Sequence, residues 1–226
     1  MGLNKVTPGS QMYQWINATW NTVKGECPHG CTYCYVKRWG KQKSVHFDEK
    51  ELNTDLGKGN FIFVGSGCDL FAEDIPDKWI NKTLDHCMKF DNKYLFQSKN
   101  PWRILDYINH VVLTYQSVIC TTMETNRFYS DIMGTCPTSS ERVFAMHEVS
   151  KVVKTFITIE PIMDFDLKEF VIELKQCNPT QVNIGADSGN NHLPEPSKEK
   201  LLALINGLKK FTIIDQKRNL NRILNQ

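Results

Sequence analysis

Three cysteines, Cys27, Cys31 and Cys34, fall within eight residues in the stretch GECPHGCTYCYVKRW. Thiolates are soft ligands that select zinc or iron–sulfur clusters inside a cell. Structural zinc takes four protein ligands, commonly as two Cys-x-x-Cys or Cys/His pairs far apart in sequence. Cys31 and Cys34 make one such pair, but Cys68, Cys87, Cys120, Cys136 and Cys177 supply no second. His29 could act as a fourth ligand only by bending back within the gap between Cys27 and Cys31, where its ring would be cramped. A cubic 4Fe-4S cluster also needs four ligands, so three thiolates would leave one iron open for another molecule. An open iron corner is the chemistry that this spacing offers.

The elements that must carry the loop are legible as six short apolar, β-branched runs. They are QWINATWN (14–21), NFIFVG (60–65), KYLFQS (93–98), SVICTT (117–122), KTFITIE (154–160) and QVNIGAD (181–187). Helical patterns lie between them. DKWINKTLDHCMKF places Trp79, Ile80, Leu84, Cys87 and Met88 on one face. Asn100 and Pro101 look like an N-cap and first-turn proline, opening a helix that turns Trp102, Leu105, Ile108 and Val112 inward. Thr138 with Glu141, and Asp166 with Glu169, have capping-box spacing. After the second pair, Leu167, Phe170, Val171 and Leu174 form an apolar stripe, and a last helix is predicted from Ser197 to about Lys209.

Strand and helix alternate, which predicts an α/β fold with parallel strands covered by helices. Periodicity does not choose between an open doubly wound sheet and a complete or partial barrel. Both put active sites at the carboxyl ends of the strands. Those ends are Trp20 and Asn21, then GSGCD (65–69), QSK (97–99), METN (123–126), IEP (159–161) and GADSG (185–189). They are polar and glycine-rich for runs otherwise so apolar. Gly65, Ser66 and Gly67 suit either a tight turn or a close backbone approach to a ligand.

The spacing Cys-x3-Cys-x2-Cys, with Tyr33 before the last cysteine and the loop following the first strand, resembles the cluster loop of the radical S-adenosylmethionine superfamily. More of the chain is similar to a phage- and prophage-associated radical-SAM-like family without a settled substrate. The pieces are WNTVKGEC with GCTYCY, GSGCDLFAEDIPDKWI, FQSKNP, TTMETN with a following ER at 141–142, ITIEPIMD and NIGADSG. Larger relatives often have a longer first cysteine gap, whereas this chain keeps the compact spacing. The resemblance implies a single domain over residues 1–226, a partial six-stranded (β/α) barrel with its cluster loop at 25–39 and a C-terminal helix and tail at 197–226.

It also implies two cofactors, a 4Fe-4S cluster on Cys27, Cys31 and Cys34 and S-adenosylmethionine on the free iron. Reductive cleavage would release a 5'-deoxyadenosyl radical that takes a hydrogen atom from the substrate. In this reading Gly65, Ser66 and Gly67 meet the methionine amine, and Asp69 caps the turn or touches the cofactor. Ser98, Lys99, Glu124 and Asn126 reach the carboxylate and ribose, Glu124 being preferred for the ribose because a carboxylate accepts two hydroxyls. Tyr33 lies against adenine or shields the cluster. Asp187 is a weaker contact that helix capping would also explain. Glu160, an acid after a strongly apolar strand, faces the substrate or holds Lys99. Cys68 either donates a hydrogen atom, as a cysteine is thought to do in a DNA-repairing branch of the superfamily, or is a small buried residue. Cys87 and Cys120 read as core, and Cys136 and Cys177 as loop cysteines without partners.

Six strand–helix units consume nearly all of the 226 residues, so the barrel should be open on one side, towards a macromolecule or partner protein. Lys37, Arg38, Lys41 and Lys43, with Trp39 among them, suit nucleic acid or serve as a solvated basic edge. Nucleic acid, a nucleotide or a protein are the expected substrates, with an electron donor such as flavodoxin or ferredoxin. The alternative is a non-catalytic zinc or iron–sulfur module that binds nucleic acid. The formal charge of +2 and 41% hydrophobic content are ordinary for a globular protein. No run approaches a membrane span and MGLNKVTPGS lacks a signal-peptide core, so a cytoplasmic protein without disulfides is expected, and the sequons at Asn17 and Asn81 read as chance.

Overall fold

A computed structural model describes residues 3–7, 9–10 and 12–225. Strand β1 (Asn4–Lys5) is followed by β2 (Ala18–Trp20), β3 (Val23–Lys24) and β4 (His46–Phe47). Next come β5 (Phe61–Val64), α1 (Asp77–Cys87), β6 (Lys93–Gln97), α2 (Pro101–Leu105), α3 (Val111–Tyr115) and β7 (Ser117–Thr122). The chain continues through α4 (Ser130–Met133), α5 (Ser139–Ser150), β8 (Thr155–Ile159), α6 (Leu167–Gln176) and β9 (Gln181–Ile184). It ends with α7 (Lys198–Leu208), β10 (Ile213–Gln216) and α8 (Asn221–Leu224).

Eight strands make one sheet in the order β1-β2-β5-β6-β7-β8-β9-β10, while β3 and β4 form a separate antiparallel pair. β1 is antiparallel to β2, and all other neighbours are parallel. The order never reverses, so the sheet is wound in one direction like a barrel wall; a doubly wound sheet would switch direction at its middle. β1 and β10 end the order unpaired with each other, leaving the wall open. All six expected strands are present, and β10 adds a seventh parallel one.

Alternation along the strands separates two cores. Ile62, Val64, Tyr94, Phe96, Ile119, Ile157 and Val182 meet the helices, with Leu84, Val149, Phe170 and Leu204 in the same cluster. Phe63, Leu95, Val118, Cys120 and Phe156 point the other way and enclose Tyr13 and Ile16. The run at 14–21 is therefore a strand only at its end. Its first residues fold into the barrel interior, where Trp15 stacks on Tyr13 with ring centroids 4.9 Å apart and donates Nε1 to Asp215 Oδ2 of β10 at 3.2 Å. Two residues further along the same inward face, Gln97, Thr122 and Thr158 replace the apolar side chains and line a cavity.

The helices follow the expected faces with three differences. α1 buries Ile80, Leu84 and Cys87, but Met88 lies past its last turn and is half exposed. The helix after Asn100 is two short ones: Asn100 makes no side-chain cap, and Trp102 is on the surface. Thr138 and Glu141 form the expected capping box on α5, whereas Asp166 caps nothing, because its carboxylate takes Arg127 Nη2 at 2.6 Å. Cys177 lies just outside α6, as its C-cap, but it is not without a partner: it is buried, with its thiol 3.4 Å from Glu173 O. Among the described residues no helix is long and apolar enough to cross a membrane.

Candidate functional site

At the carboxyl ends of the strands lies a cavity of about 350 Å³, with Cys27, Cys31, Cys34 and Cys68 in its wall. The loop bearing the first three is clamped through its backbone. Thr32 N donates to Ile132 O at 3.0 Å, and Thr135 N donates to His29 O at 2.9 Å. Gly134 has φ +70°, and a Cβ there would sit 1.9 Å from His29 O, so only glycine permits this approach. The loop leaves Cys34 as a 3-10 helix, Tyr35–Trp39.

His29 does not turn towards the thiols. It is buried, with Nε2 2.7 Å from Asp69 Oδ2. Asp69 also accepts Ser98 Oγ at 3.0 Å, Lys99 N at 2.8 Å and Phe71 N at 2.9 Å. Burial alone would raise the Asp69 pKa, but the His29 bond and charge and the backbone N–H groups hold it below the usual range. Burial likewise would lower the His29 pKa, and Asp69 outweighs it upward. Asp69 thus ties the cysteine-bearing loop to the ends of β5 and β6.

The glycine-rich turn is set by Asn21, whose Oδ1 accepts Gly67 N at 2.8 Å and Ser66 Oγ at 3.2 Å. Gly65 adopts φ +80° and donates its N–H to Trp20 O at 3.0 Å. Gly65, Ser66, Gly67, Asp69, Ser98 and Lys99 all line the cavity. Tyr33 lines it too, with its hydroxyl on Glu124 and the Lys99 ammonium 4.5 Å from its ring centroid. Glu124 is fully buried and is not part of the wall. Its carboxylate is filled by Lys99 Nζ, Tyr33 Oη and Arg142 Nη1, so in this structure it sets Lys99 and Tyr33 instead of presenting oxygens to the cavity. Burial would raise its pKa, yet Arg142 and Lys99 hold it far below the carboxylate range. Asn126 also lies outside the wall, accepting Asp166 N at 2.9 Å.

Glu160 lines the cavity but does not hold Lys99. It accepts Lys217 Nζ at 2.5 Å and Asn219 Nδ2 at 3.1 Å, in space left by Gly185, where a Cβ would come 2.7 Å from Glu160 Oε1. Asp187 caps no helix; it folds its own loop by accepting Gly189 N at 2.9 Å and Asn191 N at 2.5 Å, and it too lines the cavity. Arg38 reaches that loop, donating to Ser188 Oγ at 2.9 Å.

Two residues that sequence reasoning missed stand behind the loop. Cys136 is not without partners: its thiol is 3.0 Å from Met133 O and accepts Arg142 Nη2 at 2.8 Å. Arg142 is buried on the core face of α5 beside Val143, Met146 and Val149. An arginine in an apolar helical stripe is itself a signal of an internal anion. Nothing local marks Cys136. Cys31 and Cys27 are each held below the usual thiol pKa, first by the neighbouring thiols of Cys136 and Cys68 respectively, while burial pushes Cys34 up.

The donor set is soft, of the kind that zinc or an iron–sulfur cluster takes. Among the described residues no three His, Cys, Asp or Glu groups converge closely enough to hold a single metal ion. Yet three free thiols from one loop face one cavity. A cubane spreads its ligand sulfurs over separate corners, whereas a tetrahedral zinc draws them to one centre.

Residues 10–199 match the family described as Protein of unknown function (DUF5131). No curated protein matches the chain. Solved structures of spore photoproduct lyase, a radical S-adenosylmethionine enzyme, are similar in fold. A cysteine-to-serine variant aligns at TM-score 0.63 and 10% identity, over 94% of this chain and 80% of that one. A cysteine-to-alanine variant aligns at TM-score 0.65 and 10% identity over the same shares. A second cysteine-to-alanine structure, with dinucleoside spore photoproduct, gives 0.60 and 11% over 93% and 66%.

Proposed function

The chain belongs to the DUF5131 family, and from its fold and site we propose that it is a radical S-adenosylmethionine enzyme acting on single-stranded nucleic acid. The observation that carries the class is the set of three free thiols from one loop, facing a cavity at the carboxyl ends of a parallel sheet wound in one direction. Cys27, Cys31 and Cys34 would hold a 4Fe-4S cluster. When bound, that cluster and S-adenosylmethionine supply a 5'-deoxyadenosyl radical, given one electron from a donor such as flavodoxin or ferredoxin.

The chain's own part is positioning and shielding. The turn Gly65-Ser66-Gly67 offers close backbone approach to an amine, and Lys99, fixed by Glu124, offers a cation to a carboxylate. Tyr33 covers the cluster side of the cavity. Cys68 and Glu160 face the remaining space, where the substrate would sit. The test is anaerobic reconstitution of the whole chain with iron and sulfide. Brown protein that forms 5'-deoxyadenosine on reduction with S-adenosylmethionine is the expected result. Colourless protein with stoichiometric zinc would overturn it in favour of the binding module.

For the substrate, the supporting observation is the rim. Residues 27–47 contain no acid, and Lys37, Arg38, Trp39, Lys41 and Lys43 are all exposed beside the cavity wall that Tyr35 and Arg38 help form. Cations track phosphates and an exposed indole stacks a base. Fluorescence anisotropy with a labelled single-stranded oligonucleotide should show binding that weakens steeply with salt. Trp39→Ala should reduce affinity about tenfold, given that stacking is worth roughly 1–3 kcal/mol per base. Equal affinity of the variant, or tighter binding of duplex, would sink the assignment.

A further inference from the structure

We propose that Cys136, held by Arg142, is a second layer of the iron site and donates its S–H to the sulfur of Cys31, making a cluster bound there easier to reduce. The inference rests on the cluster reading above. Its geometry does not depend on any bound group. Cys31 and Cys136 are both nearly buried, and their sulfurs lie 3.3 Å and 3.0 Å from the same carbonyl, Met133 O. Behind them the Arg142 guanidinium is fully enclosed, and each of its three nitrogens donates to a partner. Nε donates to Pro137 O at 2.8 Å, Nη1 to Thr122 O at 2.6 Å and to Glu124 Oε2 at 2.8 Å, and Nη2 to Cys136 Sγ at 2.8 Å.

The direction of the Cys136 proton follows from this arrangement. Arginine keeps its charge in proteins and can only donate, so Cys136 sulfur is the acceptor in that contact. Its own S–H must then point elsewhere, to Met133 O or to Cys31. Once Cys31 binds iron it has no proton and becomes an acceptor, and Cys136 is the buried donor already beside it. Hydrogen bonds to ligand sulfurs are among the factors that set cluster potentials. A donor draws electron density from the sulfur, which favours the reduced and more negative state. Arg142 adds positive charge behind the same bond. The guanidinium that holds Cys136 also holds Glu124, and Glu124 sets Lys99 in the cavity wall. One buried residue therefore aligns the ligand sulfur and the cation proposed for the cofactor carboxylate.

The experiment is an anaerobic redox titration, followed by absorbance and electron paramagnetic resonance, of the reconstituted 226-residue protein with Cys136→Ala, Cys136→Val and Cys136→Ser. All are expected to retain the cluster. The alanine and valine variants should be reduced only at more negative potential than the wild type, and the serine variant, which keeps a donor, should stay nearer to it. Unchanged midpoints in the alanine and valine variants would overturn the inference while leaving the enzyme reading intact. Loss of iron from folded Cys136→Ser, as judged by circular dichroism, would make Cys136 a ligand and also overturn it. A wild type that takes up no iron would overturn both.

Discussion

Alanine at Cys27, Cys31 and Cys34 together is expected to give a colourless protein with no bound iron and no 5'-deoxyadenosine above background after anaerobic reconstitution. The folded structure should survive, because three backbone contacts that need no sulfur hold the loop: Thr32 N to Ile132 O, Thr135 N to His29 O and Glu26 N to Lys43 O. Circular dichroism of the variant should match the wild type. The specificity lies in the controls. Cys87→Ala and Cys177→Ala remove buried thiols on α1 and at the end of α6, remote from the cavity wall, and should leave the iron content unchanged. Cys68 is in that wall beside Cys27, so Cys68→Ala distinguishes a neighbour from a ligand. It should keep the cluster. Iron retained by the triple variant would remove the proposed function outright.

Glu124→Gln is expected to destabilise the protein by about 3–5 kcal/mol in urea unfolding, the range for breaking a buried ion pair by removing one partner. The amide would leave two enclosed cations, Arg142 and Lys99, without their anion. The loss should depend on pH in a defined direction. The folded pKa of Glu124 is depressed relative to the unfolded value near 4.3, so its contribution is complete above that value and is lost as pH falls through the folded pKa. The wild type should therefore weaken below about pH 4, while the gap between wild type and Glu124→Gln narrows. A difference under about 1 kcal/mol at pH 7 would mean that water or rearrangement satisfies the two cations. Arg142→Met should destabilise for the mirror reason, by leaving the enclosed Glu124 carboxylate with Lys99 and the neutral Tyr33 hydroxyl.

Much of the wall was legible because its signal is local. The runs at 60–65, 93–98, 117–122, 154–160 and 181–187 each contain a strand at or within their bounds. β10 escaped because its edge position leaves Ile213 exposed and the apolar pattern short. The run at 14–21 misled for the opposite reason: Trp15 and Ile16 are as apolar as a strand, but they serve as filling for the barrel and not as staves. In the site, the loop cysteines and polar strand ends stood out by spacing and by contrast with apolar neighbours. Which partner each side chain takes did not. Glu160 meets Lys217 and not Lys99, and Glu124 turns inward to Arg142, because those choices are made between segments far apart in sequence.

The close approach of Gly134 to His29 has a consequence for assembly. Small metal domains commonly collapse only around their ion, so that loading and folding are one event. Here the backbone of the thiol-bearing loop is already fastened to the turn before α5, and the entropy of ordering it is met by the polypeptide alone. Loading and folding should then separate, with the same circular dichroism before and after the chain takes up iron.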